Sequence, residues 1–299
     1  MSRRQALDAS PAMIPVLAVV GVGLIGGSFA AALRRAGQVG RVLGVGRNPE
    51  SLAQAQALGL IDEAVSPEDA AAQADLILLA TPVGSLGPML ARMREHLRPD
   101  GLITDGGSTK AEVVQAARQA LGERIAAFVP GHPIAGAERT GPQAADARLY
   151  EGRKVILTPL AENPPQAVAR VRAAWQACGA QVLDMTPEEH DSVLASVSHM
   201  PHFLAAAYMA QVCEAEDAQT RLALAGSGFR DFTRIAAGSP EMWRDIFLSN
   251  RSAMLAELAA LRAVLDRTEA ALAAGEGASL QQWLQDAALA RRAWRKESS

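Results

Sequence analysis

The chain has 299 residues, a length that predicts two domains at about 150 residues per domain. It is 49% hydrophobic and 20% charged, as soluble enzymes are, and its net charge of −3 leaves no basic surface for a nucleic-acid backbone. The two cysteines, Cys178 and Cys213, match no metal-binding or redox spacing, so we expect a reduced, cytoplasmic protein.

An uncharged stretch near the N-terminus is the one feature that argues for a membrane or for export. Residues 12–33 carry no charge over 22 positions and follow Arg3 and Arg4, which suits a membrane span or a twin-arginine signal. Pro15 and four glycines make the stretch a poor lipid-spanning helix. We favour the alternative of a buried strand at 16–20, a glycine turn and a helix at 24–35.

The following elements alternate between strand and helix up to Asp184. Further strands are predicted at 41–45, 76–80, 102–104, 125–129, 155–157 and 181–183. Further helices are predicted at 49–58, 85–96, 109–120 and 165–177. This alternation is typical of an α/β domain with a doubly wound parallel sheet and helices on both faces.

From Pro187 onward the sequence predicts helices almost exclusively. The first is a long helix from Pro187 to Glu216, and glycines and a proline at 226–228, 238–240 and 275–277 predict the later breaks. We therefore expect a dinucleotide-binding domain at 11–184 and an all-α domain at 185–299.

Residues 21–26 read G-V-G-L-I-G between a predicted strand and a predicted helix. In this context the glycines allow a tight turn, close approach of a pyrophosphate and close helix–strand packing, as in Rossmann-type domains. The strand at 76–80 ends at the same edge of the sheet. The cofactor-binding residues expected at this edge are Gly21, Gly23, Leu24, Ile25, Gly26, Thr81 and Pro82.

The end of the second strand bears on which dinucleotide is bound. NAD-binding domains place an acid about 20 residues after the glycines, to hold the ribose 2′-hydroxyl. Here Arg47 stands between Gly46 and Asn48, and no acid occurs before Glu50. Arg47 could bind a 2′-phosphate, so NADP is favoured and NAD remains possible; the alternative is a solvated turn arginine.

His132 is the candidate catalytic residue. It lies in P-G-H-P-I-A-G at 130–136, directly after the predicted strand at 125–129 and so at the carboxyl edge of the sheet. Its glycine and proline neighbours suit a fixed loop. His96, in contrast, lies on a charged helix and is expected to be solvated.

The remaining histidines share the long helix of the second domain. Ser198 and His202 are four residues apart and face the same way, and His190 precedes them by two turns. Their spacing is not that of a helical metal site, so no metal is expected, and His199 suits a core position. Arg234, one turn after Asp231, is either an ion-pair partner or a clamp for a substrate carboxylate.

Five motifs lie along the chain at 20–28, 105–110, 132–136, 196–202 and 231–236 with 242–244. In this order they resemble the prephenate/arogenate dehydrogenase family of tyrosine biosynthesis. The resemblance implies an NAD(P)-dependent oxidative decarboxylation of prephenate or arogenate. It also implies an all-α C-terminal dimerisation domain and hence a homodimer.

The resemblance also implies roles for particular residues. His132 would take the proton of the substrate hydroxyl. Ser108 would orient His132 and would itself lie near the nicotinamide, so it is also expected to bind the cofactor. Arg234 would pair with a substrate carboxylate. The residues that would shape the rest of the substrate pocket are His202, Ser198 and His190.

Two departures from the family pattern concern specificity. Arg47 replaces the acid of NAD-using members, and Ala137–Glu138 stands where some members have a threonine followed by an acid. Glu138 is expected to contact substrate and would favour the amino group of arogenate, but the substrate side chain stays open. The alternatives are another two-domain reductase, such as a β-hydroxyacid dehydrogenase, or a non-catalytic dinucleotide sensor.

Overall fold

The computed structural model describes residues 13–136 and 140–297, without the side chains of 295–297. The chain forms two compact units, one ending at Asn250 and one beginning at Arg251. The boundary expected near Asp184 lies inside the first unit, which also contains every helix up to residue 249.

A five-stranded parallel sheet forms the centre of the first unit. Its strands are β1 (Ile14–Val20), β2 (Val39–Val45), β3 (Glu63–Ala64), β4 (Leu76–Leu79) and β5 (Leu102–Asp105). They run in the order β3-β2-β1-β4-β5, so the order reverses at β1, where Val20 pairs with both Val45 and Leu79. Ligands bind at such a switch point, at the carboxyl ends of the strands.

Helices cover both faces of this sheet. They are α1 (Leu24–Arg35), α2 (Pro49–Ala57), α3 (Pro67–Gln73), α4 (Leu86–Met93), α5 (Ala111–Leu121) and α6 (Pro165–Ala177). Phe29 of α1 and Trp175 of α6 are fully buried in one apolar layer, and Leu90 of α4 and Ala117 of α5 are fully buried in the other. The doubly wound fold predicted from the alternation is confirmed.

A second, smaller sheet follows α5 and was not predicted as a separate layer. It consists of β6 (Gly131–Pro133), β7 (Lys154–Leu157) and β8 (Gln181–Asp184), with β6 antiparallel and β8 parallel to β7.

The strand predicted at 125–129 is wrong: residues 122–127 form a 3₁₀ turn, and only Phe128 bridges to β5. Ile125 and Phe128 are both buried, and their spacing of three is the period of a 3₁₀ turn rather than of a strand.

The helical part of the first unit begins with one long helical segment. It runs through α7 (Pro187–Leu194), a π-helical turn (Ala195–His199) and α8 (Met200–Cys213). Pro201 lacks an N–H and its ring crowds the carbonyl one turn earlier, so the wider π turn lets the helix continue past the proline. The expected long helix is therefore present, but it contains a π turn and ends at 213. It is followed by α9 (Ala218–Ala223), α10 (Ser227–Thr233) and α11 (Pro240–Ser249).

The second unit consists of α12 (Arg251–Ala273) and α13 (Gly277–Glu297), which are separated at Gly275. Residues 13–33 of the uncharged stretch form β1, the glycine turn and α1. Within the described ranges, no helix has the length and apolarity that crossing a membrane requires.

Candidate active site

The glycine turn between β1 and α1 has the geometry that a dinucleotide requires. Gly21 has φ +91°, and a Cβ there would lie 2.5 Å from the Ala80 carbonyl oxygen. A Cβ on Gly26 would lie 2.2 Å from the Gly21 carbonyl oxygen. At Gly23, in contrast, a Cβ would meet nothing within 4 Å. In dinucleotide-binding turns the pyrophosphate approaches the backbone at such an open position. No side chain caps the N-terminus of α1, whose free N–H groups suit an anion.

Two further strand ends lie at the edge where β1 ends. Arg47 follows β2 and is exposed, while Asn48 caps α2 by accepting hydrogen bonds from Glu50 N and Ser51 N. Thr81 follows β4, and its hydroxyl accepts a hydrogen bond from Ser85 Oγ at 2.9 Å. Pro82 is exposed beside it. The fold therefore brings all the expected cofactor-binding residues to one sheet edge.

A buried ion pair holds the loop that carries Ser108. Lys110 Nζ contacts Asp105 Oδ2, and both side chains are fully buried. The Asp105 carboxylate also accepts hydrogen bonds from Gly107 N and Gly131 N, each at 2.9 Å. Asp105 thus joins the loop after β5 to the start of β6. The Ser108 side chain is partly exposed beside this pair.

His132, in the middle of β6, is held by a neighbouring histidine. Its Nδ1 lies 2.8 Å from His190 Nε2, and His190 Nδ1 lies 2.8 Å from Asp191 Oδ1. Among the described residues, no hydrogen bond joins Ser108 to His132. Taken as a whole residue, His132 is of intermediate exposure, whereas His190 is fully buried.

Burial lowers the pKa of His132 well below its ordinary value of 6.5, and the nearby His190, Lys110 and His199 lower it further. The pKa of His190 is also lowered by burial, against the opposing effect of its hydrogen bond to Asp191. Both imidazoles are therefore neutral near neutral pH, which is the state in which His132 can accept a proton.

His199 occupies the core position that the sequence suggests. It is buried, and its Nδ1 lies 3.1 Å from Asn250 Nδ2, which also donates to the Asp191 carbonyl oxygen at 2.8 Å. Burial lowers the pKa of His199 to about 4.

A second group of expected residues lies in the helical part of the first unit, where His202 contacts Trp243 of α11. The His202 ring stacks on the Trp243 ring with centroids 3.6 Å apart. Burial lowers the pKa of His202, and the positive charge of the nearby Arg234 lowers it further. Arg234 is exposed, in the turn after α10, and Ser198 is partly exposed in the π turn. Arg234 and His202 are therefore brought close together.

The expected site residues do not all fall within the described part of the chain. Glu138 lies outside it, as do its neighbours at 137 and 139. The described residues contain no group of three or more His, Cys, Asp or Glu side chains placed to hold a metal.

Sequence reasoning assigned no role to Asp191, Lys110 or Asn250. The only signals that the sequence offers for them are that Lys110 ends the motif at 105–110 and that Asp191 follows His190. Their importance comes from contacts between segments far apart in the chain.

A glycine turn of the dinucleotide-binding type and a neutral histidine in the same compact unit are typical of a dinucleotide-dependent oxidoreductase. Two family models match the chain: the prephenate dehydrogenase nucleotide-binding domain over residues 29–184, and the prephenate dehydrogenase dimerization domain over residues 186–286. The chain belongs to the prephenate dehydrogenase family, and its cofactor is a nicotinamide dinucleotide.

Individual relatives resemble the chain over most of its length. The cyclohexadienyl dehydrogenase of Zymomonas mobilis is 36% identical over 278 residues, which cover 92% of this chain and 94% of that protein. The crystal structure of prephenate dehydrogenase from A. aeolicus in complex with hydroxyphenyl propionate and NAD+ has a TM-score of 0.87 and 36% identity, covering 93% of this chain and 97% of that one. Synechocystis arogenate dehydrogenase has a TM-score of 0.80 and 30% identity, covering 93% and 99%.

Proposed function

We propose that the protein catalyses the NAD(P)-dependent oxidative decarboxylation of prephenate to 4-hydroxyphenylpyruvate, of arogenate to tyrosine, or of both. The observation that carries this proposal is His132, a neutral histidine anchored through Nδ1 in a chain of this family. Another two-domain reductase or a non-catalytic dinucleotide sensor is not favoured, because both family models match.

His132 is proposed to act as the general base. Prephenate is a cyclohexadienol with a carboxylate on C1 and a hydroxyl on C4. When bound, the nicotinamide dinucleotide supplies the acceptor for the hydride that leaves C4. His132 removes the proton of the C4 hydroxyl, which becomes a ketone, and this ketone then accepts the electrons released as carbon dioxide leaves C1 and the ring aromatises.

Residues from the helical segments are proposed to hold the substrate. The guanidinium of Arg234 suits a carboxylate, and the neutral ring of His202 stacked on Trp243 forms a flat wall beside it. Ser198 offers a hydroxyl from the π turn. Ser108 is proposed to lie near both the nicotinamide and the substrate hydroxyl. Glu138 is proposed to favour the amino group of arogenate.

NADP is proposed as the preferred cofactor. The end of β2 presents Arg47 to solvent, with no carboxylate before Glu50 to repel a 2′-phosphate.

Arg47→Ala is therefore expected to weaken NADP binding about tenfold or more while leaving NAD binding within about twofold, because only NADP carries the 2′-phosphate. Titration calorimetry with each dinucleotide measures this effect. Arg41→Ala, at the opposite end of β2, serves as the matched control. Equal weakening of both dinucleotides by Arg47→Ala would contradict the NADP proposal.

The family models also suggest the domain organisation and the assembly. We propose a functional boundary near Asp184, where the match changes from the nucleotide-binding to the dimerization model. We also propose a homodimer formed through the helices of the region that matches the dimerization model, residues 186–286. Sedimentation equilibrium tests this proposal by measuring the mass of the assembly.

An initial-rate matrix tests the proposed activity. Prephenate and arogenate are each combined with NAD and NADP, while reduced nicotinamide and the aromatic product are measured. The proposal predicts turnover of at least one substrate, faster with NADP. Dinucleotide binding without turnover of either substrate would contradict it and favour a sensor.

A further inference from the structure

A continuous chain of hydrogen bonds runs from His132 into the protein interior. His132 Nδ1 lies 2.8 Å from His190 Nε2, and His190 Nδ1 lies 2.8 Å from Asp191 Oδ1. The His132 Nε2 atom makes no hydrogen bond to any described residue. It is therefore the ring nitrogen left to meet a substrate.

Asp191 can only accept a hydrogen bond from His190. Its Oδ1 accepts from Lys110 N and its Oδ2 from Ala111 N, both at 2.8 Å. Because a carboxylate has no proton to donate, the hydrogen bond between the two side chains requires the His190 proton on Nδ1. A neutral His190 then has a lone pair on Nε2, so His132 must donate from Nδ1.

We propose that Asp191, acting through His190, fixes the tautomer of His132 in which Nδ1 is protonated and Nε2 is bare and able to accept the substrate proton. This inference rests on the proposed function, in which His132 is the base. Asp191 and His190 are positioning residues, since neither need touch the substrate and His190 is fully buried.

The proton balance of the step follows from this tautomer. The O–H bond of the C4 hydroxyl breaks and an Nε2–H bond forms on His132, which becomes an imidazolium. Its Nδ1 proton points at His190 Nε2, so the positive charge can be shared towards the Asp191 carboxylate. After product leaves, the proton returns from His132 to solvent.

The surrounding charges support this arrangement. Lys110 and Asp105 form a neutral pair beside the chain, and His199 lies next to it with a pKa lowered to about 4 by burial. Asn250 fixes the backbone of Asp191 by donating to its carbonyl oxygen at 2.8 Å. Asp191 is thus held from two sides, by α5 and by the end of α11.

Nitrogen-15 NMR of the ring nitrogens tests the tautomer directly, without any turnover. The spectrum is recorded on the full-length protein above pH 6.5 and is assigned by comparison with His132→Asn. The expected result is a His132 protonated on Nδ1 and bare on Nε2. A His132 protonated on Nε2 would overturn the proposal.

Two variants of His190 test whether the relay matters for the rate. His190→Leu removes the acceptor for His132 Nδ1 and is expected to lower kcat at least about 100-fold with KM little changed. His190→Gln offers an amide oxygen at the same place and is expected to recover a large part of that loss. Wild-type kcat in His190→Leu, or equal loss in both variants when both still bind dinucleotide, would overturn the proposal.

The outcome also separates this inference from the proposed function. If the wild-type enzyme shows the expected tautomer but turns over neither prephenate nor arogenate, the proposed function fails and the tautomer assignment stands. If the wild-type enzyme turns over substrate but His132 is protonated on Nε2, the tautomer assignment fails and the proposed function stands.

Discussion

At the residue scale, the site depends on how one histidine is held. The sequence predicts His132 as a catalytic residue from its glycine and proline neighbours and from a strand expected before it, and the resemblance makes it the base. In the structure a 3₁₀ turn replaces that strand, and His132 lies within β6. The sequence does not predict the partner of His132, because His190 is 58 positions away and only the folded chain brings the two rings together. The resemblance pointed to Ser108 for that task, whereas the structure has His190 at Nδ1.

Replacing the candidate base is the simplest prediction at this scale. His132→Asn keeps a polar side chain but no basic nitrogen, so kcat is expected to fall about 100-fold to 10,000-fold. Steady-state rates measure the loss, and calorimetry with NADP checks that binding is kept. A variant that loses cofactor binding together with activity would contradict the role given to His132.

A second prediction concerns Lys110. Burial lowers the pKa of His132 most, His190 comes next, and the positive charge of Lys110 lowers it further. Lys110→Met removes that charge, so the pKa of His132 is expected to rise. The acid limb of the kcat/KM profile then moves to higher pH, because a base works only when unprotonated. An unchanged or downward-shifted limb would show that Lys110 does not act on His132.

The same substitution leaves Asp105 as an unpaired buried carboxylate, and breaking a buried pair in this way costs about 3–5 kcal/mol of stability. Lys110→Met/Asp105→Asn serves as the control in denaturant unfolding. Its loss of unfolding free energy is expected to be smaller than the sum of the losses of the two single variants.

At the element scale, most strands and helices follow from hydrophobic pattern and turn residues. The helix α1 (Leu24–Arg35) begins and ends at the predicted residues, because the glycine turn precedes it and Gly37 follows it. The segment at 122–128 and the π turn before Pro201 were not predicted. The segment at 122–128 has a β-rich composition, but its buried residues are three apart, which suits a 3₁₀ turn. The π turn arises because one proline changes the local helix type.

Two of the three motif glycines in the dinucleotide turn, Gly26 and Gly23, are expected to respond in opposite ways to replacement by alanine. Gly26→Ala places a Cβ 2.2 Å from the Gly21 carbonyl oxygen and 2.6 Å from Val19 Cγ1, so α1 must move away from β1. We expect a loss of stability of about 1–3 kcal/mol, as for other overpacked sites. Gly23→Ala meets nothing within 4 Å, so its stability is expected to be unchanged while its dinucleotide affinity falls. Thermal unfolding measures the stability of both variants, and calorimetry measures their dinucleotide affinity. Equal destabilisation of the two variants would contradict the prediction.

At the scale of the whole molecule, family and fold class could be inferred from sequence, because five motifs and the strand–helix alternation agree. The compact division at Asn250 could not, since it depends on packing between distant segments. The surroundings of the histidines other than His96 could be inferred only in part: the sequence suggests a core position for His199 but not the buried position of His190. His132, His190, His199 and His202 all have pKa values lowered by burial.

This burial predicts how stability depends on pH. A histidine whose pKa is lowered by folding binds protons more readily when unfolded, so its stabilising contribution is present above pH 6.5 and is lost as pH falls. For His199, whose pKa is lowered from 6.5 to about 4, the loss is on the order of 3 kcal/mol. Denaturant unfolding between those pH values measures it. A free energy of unfolding that stays constant or rises as pH falls would contradict the buried, neutral histidines.

The most direct test of the proposed activity is the stoichiometry of a single turnover. Enzyme saturated with NADP is mixed with limiting prephenate, and reduced nicotinamide, carbon dioxide and 4-hydroxyphenylpyruvate are measured in the same sample. The proposed function predicts equal amounts of all three, with arogenate giving tyrosine in place of 4-hydroxyphenylpyruvate if arogenate is the substrate. Reduced nicotinamide without carbon dioxide, or no reduction with either compound, would contradict it.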